Sequence, residues 1–582
     1  MENHRPPNQG LRTKLALHFE QFALACVLFP AAIVILATIV FALGGRMGAW
    51  ILPMAALIAV FGLRAFSGSG RDTALVAAFA ALTHVAAYGV AKLFYDGSWD
   101  GLAYHQEAIL RLAAGWKPFF ESVAAYRETH EMIRNEIRID HFPKASWIAG
   151  AAVFLNCGQI ETGKLFNFTF MAAAGSLVAA ALLRLTTLRI PALAAVALLA
   201  ACNPVAVYQC TTFYVDGMMA SLLTLAVTAL ILYLVAPRWP SLVLALLASC
   251  LMINLKFTGV IYAAVILFAG VLTVWYRHGF RSATRLAGLA AITGIIGVLV
   301  IGYAPYVRNQ REKGNAVYPM RGENLPDFAP VRPPNLVNRD RFTNFVIANF
   351  SRSEATGRPP QPTRLKFPFW IYESERGGWV WIASPEAGGL GPLYGALLLL
   401  AGVGIVALIS DTSTRSIGQV VLLIAGFLAI SVFVHDEGWK ARFAPQAWLF
   451  PLVVAVACLL ARKRSRIWWL GCALVAVATV NVLSVGTYFM WYQWKFARDT
   501  RRCLREVSAL RQPVFIHVGS LQSLRQRFRE SGIDVKILAN SPPAEIAITR
   551  HAIPSPGPHT FWARIDDVNT SGWTDLPVGE DQ

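Results

Sequence analysis

The stretch Phe22–Leu43, FALACVLFPAAIVILATIVFAL, contains no charged side chain over its whole length. A helix needs about 20 mainly apolar residues to cross the hydrocarbon core of a bilayer. The preceding residues, Met1–Gln21, are polar and basic and lack the apolar region of a cleavable signal peptide. We therefore expect Phe22–Leu43 to remain in the chain as a membrane anchor.

Apolar runs of similar length recur along the 582-residue chain, which is 55% hydrophobic and only 15% charged. Average soluble chains carry about 25% charged residues. The composition therefore predicts an all-α polytopic membrane protein with about 13 transmembrane helices. The predicted spans are 22–43, 49–63, 74–94, 164–183, 190–209, 217–236, 241–254, 257–276, 286–304, 391–410, 417–434, 447–461 and 467–489.

Basic residues in the short loops predict the orientation of these spans. With the N-terminus in the cytoplasm, the arginine-bearing short loops all fall on the cytoplasmic side, as the positive-inside rule requires. Their basic residues are Arg5, Arg12, Lys14, Arg64, Arg71, Arg184, Arg189, Arg238, Arg277, Arg281, Arg285, Arg415, Arg462, Lys463, Arg464 and Arg466. Topology thus accounts for much of the net charge of +18, and we predict no nucleic-acid partner. The expected location is a bacterial inner (plasma) membrane.

The same orientation assigns the large polar segments to the outer face. These segments are 95–163, 305–390, 435–446 and 491–582. Within the first, Trp147–Gly158 is apolar but too short to span, so we expect an interfacial or re-entrant helix.

The C-terminal segment resembles a small soluble unit in its pattern. Pro513–Val518 and Val535–Leu538 predict strands, and Leu521–Ser531 predicts a helix between them. We therefore divide the chain into a transmembrane domain, 1–490, and a small extracytoplasmic α/β domain, 491–582.

A polar, acidic stretch, Tyr95–Glu107 (YDGSWDGLAYHQE), directly follows the third predicted span. Its candidate functional side chains are Asp96, Asp100, Tyr104, His105 and Glu107. Ionisable groups at a membrane boundary are costly and mark functional sites, although an ordinary solvated loop is the alternative. Asp100, Tyr104 and Glu107 would share one face of a helix. Asp100 could act as a general base or metal ligand, or could only cap the following helix.

Two further polar groups stand at the outer ends of spans. Asp216 precedes the span at 217 and could orient a substrate hydroxyl or serve as an N-cap. Lys256 lies in the tight turn of a predicted hairpin, Asn254–Lys256, between two apolar runs. A lysine in that position either extends to the interface, which is the commoner outcome, or pairs with an anion.

A fourth polar group is the short outer loop His435–Phe443, HDEGWKARF, which contains Glu437, Lys440 and Arg442. Guanidinium and ammonium groups could hold a phosphate, or could anchor helix ends at lipid headgroups. The long loop 305–390 adds Arg308 and, within GNAVYP, Tyr318.

These segments resemble the GT-C superfamily of integral-membrane glycosyltransferases, which use polyprenyl-phosphate-linked sugars. The resemblance rests on three short motifs: Asp100–Tyr104 (DGLAY) in the first large outer loop, Gly314–Pro319 (GNAVYP), and Lys440–Gln446 (KARFAPQ) before a late span. It covers the membrane core, roughly 74–490, by architecture more than by identity.

The resemblance implies an inverting transfer of a sugar from a polyprenyl-phosphate donor to a lipid, glycan or protein acceptor. It implies Asp100 as catalytic base, with Asp96 in reserve, and phosphate contacts from Lys256, Arg308, Lys440 and Arg442. The remaining candidates for substrate binding are Tyr104, His105, Glu107, Asp216, Tyr318 and Glu437.

The chain departs from the family pattern at two points. The acidic loop follows the third span instead of the first, and the loop has no adjacent pair of carboxylates, since Asp96 and Asp100 are four positions apart. The need for a divalent cation, Mg²⁺ or Mn²⁺, is therefore left open. A lipid-linked-sugar transporter or flippase without chemistry is the alternative function, although neither inverted repeats nor broken midplane helices are evident.

Overall fold

The computed structural model describes residues 9–126, 133–320, 332–354, 360–377, 385, 387–537, 551–555 and 560–564. Within these ranges the chain is mostly helical, and a small sheet lies near its C-terminus. The predicted combination of apolar helices and a small C-terminal sheet is therefore confirmed.

Helices occupy most of the described chain. Those before residue 210 are α1 (Gln9–Ala42), α2 (Ile51–Phe66), α3 (Gly70–Leu93), α4 (Gln106–Ala113), α5 (Ile133–His141), α6 (Ala145–Cys157), α7 (Phe166–Leu185), α8 (Ile190–Ala201) and α9 (Pro204–Gln209). Those after it are α10 (Asp216–Val235), α11 (Trp239–Leu255), α12 (Thr258–His278), α13 (Phe280–Ile295), α14 (Asn309–Lys313), α15 (Arg341–Asn349), α16 (Tyr394–Ser410), α17 (Arg415–Phe433), α18 (Leu449–Leu459), α19 (Arg466–Ser508) and α20 (Leu524–Glu530). Every predicted span coincides with at least one of them.

In the described part of the chain, eight helices are long and apolar enough to cross a membrane. They are Gly10–Ala42, Gly70–Leu93, Ile160–Leu185, Asp216–Val235, Thr258–His278, Phe280–Ile301, Arg415–Phe433 and Arg466–Ser508. The shorter apolar helices α2, α8, α11, α16 and α18 stand at the five other predicted spans, and α6 stands where an interfacial or re-entrant helix is predicted. A total of about 13 crossings therefore stays a prediction.

Helix α1 lies at the centre of the helical core. It packs against α2, α3, α6, α7 and α11, and its contacts include small side chains such as Ala23, Cys26 and Ala31. Small residues let helix backbones approach closely where no water drives association. By contrast, the most apolar window of Phe280–Ile301 is only 17% buried, which suits a helix that faces lipid.

Helix α19 extends well beyond the length that a bilayer requires. Its 43 residues, Arg466–Ser508, correspond to about 65 Å, roughly twice the hydrocarbon thickness. The exposed Trp491 and Trp494 stand part-way along it, as in the aromatic belts of membrane interfaces. The helix runs without a break through the predicted domain boundary at 490, so it physically joins the core to the C-terminal segment.

The C-terminal sheet has the strand order β2-β1-β4-β3. Its strands are β1 (Val514–His517), β2 (Val535–Ile537), β3 (His551–Ala552) and β4 (Phe561–Arg564). β1 and β2 are parallel, with Val514 opposite Val535, and α20 supplies the crossover that parallel strands need. The predicted strand, helix and second strand are therefore confirmed, apart from Leu538, which lies outside the described residues. β4, which pairs antiparallel with β1, was not predicted.

Candidate functional site

Four charged side chains from distant parts of the sequence meet at one end of the helices. We call Asp100, Asp216, Lys256 and Arg442 the charged cluster. Lys256 Nζ lies 2.5 Å from Asp216 Oδ1, and Arg442 Nε lies 3.2 Å from Asp216 Oδ2. Arg442 also reaches Asp100, with 3.6 Å between a terminal guanidinium nitrogen and Oδ2. Arg442 thus bridges the two carboxylates.

Each member of the charged cluster stands where a helix begins or ends. Asp216 is the first residue of α10, and Lys256 lies in the two-residue turn between α11 and α12. Arg442 belongs to the 3₁₀ turn Ala441–Phe443 between α17 and α18. Asp100 directly precedes a π-helical turn, Gly101–His105, that follows α3. The helical core therefore fixes four separate backbone positions around one point.

Asp216 is the buried centre of the cluster. Its side chain is fully buried, and its carboxylate also accepts a hydrogen bond of 3.2 Å from Gln209 Nε2. A buried carboxylate is tolerated only when cations and hydrogen bonds compensate for its lost hydration. Val215, and not Asp216, occupies the N-cap position of α10, so the N-cap interpretation is wrong, and the orientation of a substrate hydroxyl by Asp216 stays a prediction.

Lys256 pairs with an anion and does not extend away from its turn. Besides the contact with Asp216, its Nζ lies 3.9 Å from the centre of the Phe443 ring, a cation–π arrangement. Burial lowers the pKa of Lys256 to about 8, although Asp216 opposes the shift. The ammonium group therefore changes its charge within a pH range that enzymes experience.

Asp100 is the more accessible carboxylate of the cluster. Its side chain is 18% exposed, whereas that of Asp216 is 0% exposed. It makes no side-chain capping hydrogen bond to the helical turn that follows it, so the capping role considered from sequence is not seen. A carboxylate that is reachable and only loosely paired with Arg442 is suited to accept a proton.

His105 is held in one neutral tautomer beside the cluster. Trp147 Nε1 lies 2.6 Å from His105 Nδ1, and an indole nitrogen can only donate. Nδ1 must therefore be the acceptor, which leaves the ring proton on Nε2. Burial lowers the pKa of His105 to about 4. At neutral pH this histidine is a hydrogen-bond donor and not a general acid.

Tyr104 packs beside His105, with 4.3 Å between the ring centres and 35° between the ring planes. The guanidinium of Arg138 lies 5.5 Å from the Tyr104 ring. Burial and the nearby Asp100 raise the pKa of Tyr104 well above its usual value. The side chain is therefore a neutral phenol over the whole physiological range.

Asp96, the reserve base, is bound by backbone amide groups outside the charged cluster. It is fully buried, and its two oxygens accept hydrogen bonds from the backbone nitrogens of Ser98 at 2.8 Å and Phe213 at 2.9 Å. Burial raises the pKa of Asp96 to about 6. A Cβ on Gly101 would lie 1.8 Å from Asp96 Oδ2, so a glycine is required there. Asp96 therefore fastens the loop that follows α3 to the turn before α10.

Glu107 also points away from the charged cluster. Its carboxylate contacts Arg111 at 2.5 Å and Arg525 of the C-terminal segment at 2.9 Å. The π-helical turn between Asp100 and Glu107 has i→i+5 bonding, which changes the angular spacing that an α-helix would give. The prediction that Asp100, Tyr104 and Glu107 share one face assumed α-helical spacing, which the π-helical turn Gly101–His105 replaces.

The remaining predicted site residues make contacts elsewhere on the same side of the protein. Arg308 bonds Glu312 at 2.7 Å and the carbonyls of Pro118 and Glu121. Tyr318 packs edge-on against His141, with 4.8 Å between the ring centres.

In the loop before Arg442, Glu437 pairs with Arg332 and lies 3.7 Å from Lys440 Nζ. Lys440 is two positions before Arg442 in the chain and lies close to the carboxylate of Glu437. Glu437, in the loop that leads to the charged cluster, thus contacts both Lys440 and Arg332.

Several contacting residues were not identified from the sequence. Gln209 donates a hydrogen bond to Asp216. The Tyr214 ring lies 5.1 Å from the Arg442 guanidinium, and the Phe443 ring contacts Lys256. Tyr214 and Phe443 lie within two residues of Asp216 and Arg442, respectively, and Gln209 is the last residue of α9, seven positions before Asp216. Their proximity to Asp216 and Arg442 in sequence was the available signal.

Among the residues that the structure describes, no group of three or more His, Cys, Asp and Glu side chains is close enough to hold a metal ion. Both carboxylates of the charged cluster are paired with Arg442, whose positive charge would repel a cation placed between them.

Comparison with known proteins adds no assignment: the chain matches no protein-family model and no curated protein sequence.

Proposed function

We propose that this protein is a membrane glycosyltransferase that moves a sugar from a polyprenyl-phosphate-linked donor to a lipid, glycan or protein acceptor on the extracytoplasmic face. The observation that carries the proposal is the charged cluster. It combines one accessible carboxylate, Asp100, with two cations, Lys256 and Arg442, that a buried carboxylate holds together. This is the set of groups that transfer from a lipid-phosphate donor requires.

The proposed reaction is a single inverting displacement. Asp100 takes the proton from the acceptor hydroxyl while the oxygen of that hydroxyl attacks the anomeric carbon. The bond between that carbon and the phosphate oxygen breaks, and the phosphate leaves with the electron pair. Lys256 and Arg442 stabilise the charge that develops on the leaving oxygen. Asp216 keeps the two cations in position, because its oxygens contact both.

His105 and Tyr104 complete the proposed site as neutral donors. The tautomer of His105 has its proton on Nε2 because Trp147 donates to Nδ1. A donor of this kind can bind a sugar hydroxyl or phosphate oxygen without competing for the proton that Asp100 removes. The role of general base is thus left to one residue.

A test of the proposal uses the purified protein in nanodiscs and a panel of radiolabelled polyprenyl-phosphate sugars with candidate acceptors. Release of polyprenyl phosphate together with transfer of the label is the expected result. The transporter alternative predicts movement of the intact labelled donor across a liposome membrane without cleavage. Flipping with no cleavage for any donor would contradict the proposal.

A further inference from the structure

Two arginines of the C-terminal segment are almost completely buried. Arg525 and Arg527 lie on α20, and their side chains are 2% and 1% exposed. Removing a guanidinium from water is costly unless carboxylates and carbonyls replace its hydration. Their partners therefore show what holds this segment in place.

The partners of both arginines belong to the outer loop that carries Asp100. The two terminal nitrogens of Arg525 bond the two oxygens of Glu107 at 2.9 and 3.0 Å, the bidentate arrangement that is strongest for this pair. Arg527 bonds Glu161 at 2.7 Å and the backbone carbonyl of Asp96 at 2.5 Å.

A third contact reaches the backbone next to Asp100. Ser523 Oγ donates a hydrogen bond of 2.8 Å to the carbonyl of Leu102. Three residues of one short segment, 523–527, thus bind the outer loop at Asp96, Leu102 and Glu107. Asp100 lies between the first two of these attachment points.

Helix α19 connects this segment rigidly to the membrane core. A Cβ on Gly97 would lie 3.3 Å from the Phe496 ring, so α19 packs directly against the start of the loop. Arg501 of the same helix donates to the carbonyl of Leu93, the last residue of α3, at 2.8 Å. The loop is therefore enclosed between α19 and α20.

We propose that residues 523–527 of the C-terminal segment act as a clamp that positions Asp100 against Lys256 and Arg442, with Arg525 and Arg527 as positioning residues. The catalytic part of this inference rests on the proposed function. The structural part does not depend on that function: the contacts of residues 523–527 hold residues 97–106 in one arrangement. A displacement of about 1 Å at a reacting group lowers turnover roughly 100-fold, so loss of the clamp reduces kcat without removing any group that binds substrate.

The test compares Ser523→Ala, Arg527→Ala and Arg527→Lys with Arg529→Ala. Arg529 is on the same helix but exposed, so it is the matched control. The first readout is hydrogen–deuterium exchange of the amides 97–106 without substrate. Faster exchange in the first two variants is expected, with Arg527→Lys intermediate because lysine keeps the charge but loses the forked geometry. Wild-type exchange in Ser523→Ala and Arg527→Lys would overturn the clamp.

The second readout is steady-state turnover. We expect kcat to fall by up to about 100-fold with KM unchanged in Arg527→Ala, and no change in Arg529→Ala. Unchanged kcat, despite faster loop exchange, would overturn the positioning role. If Arg527→Ala does not fold, Ser523→Ala and Arg527→Lys decide the question. If wild type transfers no sugar, the proposed function fails, whereas the exchange measurement still confirms or overturns the clamp.

Discussion

The charge of Lys256 gives a prediction about pH that follows directly from its surroundings. Burial lowers its pKa to about 8 from the 10.5 of an exposed lysine, with Asp216 limiting the shift. If Lys256 must be charged to stabilise a leaving phosphate, activity is full well below pH 8, is about half its plateau at a pH equal to this pKa, and falls further as pH rises. One unit above the pKa about one tenth of the lysines are charged, so kcat/KM at pH 9 is about tenfold below its plateau.

Two variants distinguish the titration of Lys256 from that of other groups as the cause of the alkaline fall in activity. In Lys256→Arg the side chain stays protonated across this range. The kcat/KM of this variant should therefore not change with pH up to pH 9, even if the larger side chain lowers its absolute value. Asp216→Asn removes the group that opposes the shift, so the alkaline fall moves to lower pH. The neighbouring Tyr104 and Tyr214 do not interfere, because burial and Asp100 raise the pKa of each well above its usual value.

The assay is kcat/KM for polyprenyl phosphate release between pH 6 and about 9.5, which reports groups of the free enzyme. Circular dichroism at each pH verifies that the variants remain folded. An alkaline fall near pH 8 that persists unchanged in Lys256→Arg would refute the assignment to Lys256. A wild-type profile that stays flat to pH 9 would refute the requirement for its charge.

Three further predictions test separate parts of the structure. Glu20→Ala removes the fully buried carboxylate that Arg184 and Arg238 share and should lower the free energy of unfolding by about 1–3 kcal/mol, measured by denaturation in detergent. Trp147→Phe removes the donor to Nδ1 of His105, so the pKa of that histidine should rise, as histidine ¹⁵N shifts will report. Gly101→Ala places a methyl against Asp96 and should cost about 1–3 kcal/mol, seen as a lower Tm; wild-type behaviour would contradict each.

The helical core could be predicted from the sequence because its signal is local. A run such as Phe22–Leu43 needs only its own composition to indicate a membrane helix. The arginines of each short loop likewise predict the side of the membrane from that loop alone. The hairpin turn at Lys256 was found in the same way. The break after α8 was missed, because Asn203 and Pro204 stand inside an otherwise apolar run.

The candidate site was predictable only in part, because its contacts join distant segments. Helix ends that carry polar residues pointed to Asp100, Asp216, Lys256 and Arg442, but the sequence could not say that these four meet while Glu107 and Arg308 do not. The π-helical turn after Asp100 has no clear sequence signal, and it changes which side chains share a face.

The C-terminal attachment was beyond the reach of sequence patterns. Arg525 and Arg527 stand in a short helix rich in charge, where arginines are ordinarily solvated. Their burial depends on Glu107 and Glu161, which are more than 350 positions earlier in the chain. Only the folded chain reveals this pairing.

The most direct test of the account compares wild type with Asp100→Asn and Asp96→Asn in a single-turnover experiment with bound labelled donor. Asp100→Asn should bind the donor with wild-type affinity and release no polyprenyl phosphate to an acceptor. Asp96 accepts hydrogen bonds from the backbone amides of Ser98 and Phe213, so Asp96→Asn should keep measurable transfer. Turnover by Asp100→Asn at the wild-type rate would contradict the central claim that Asp100 is the catalytic base.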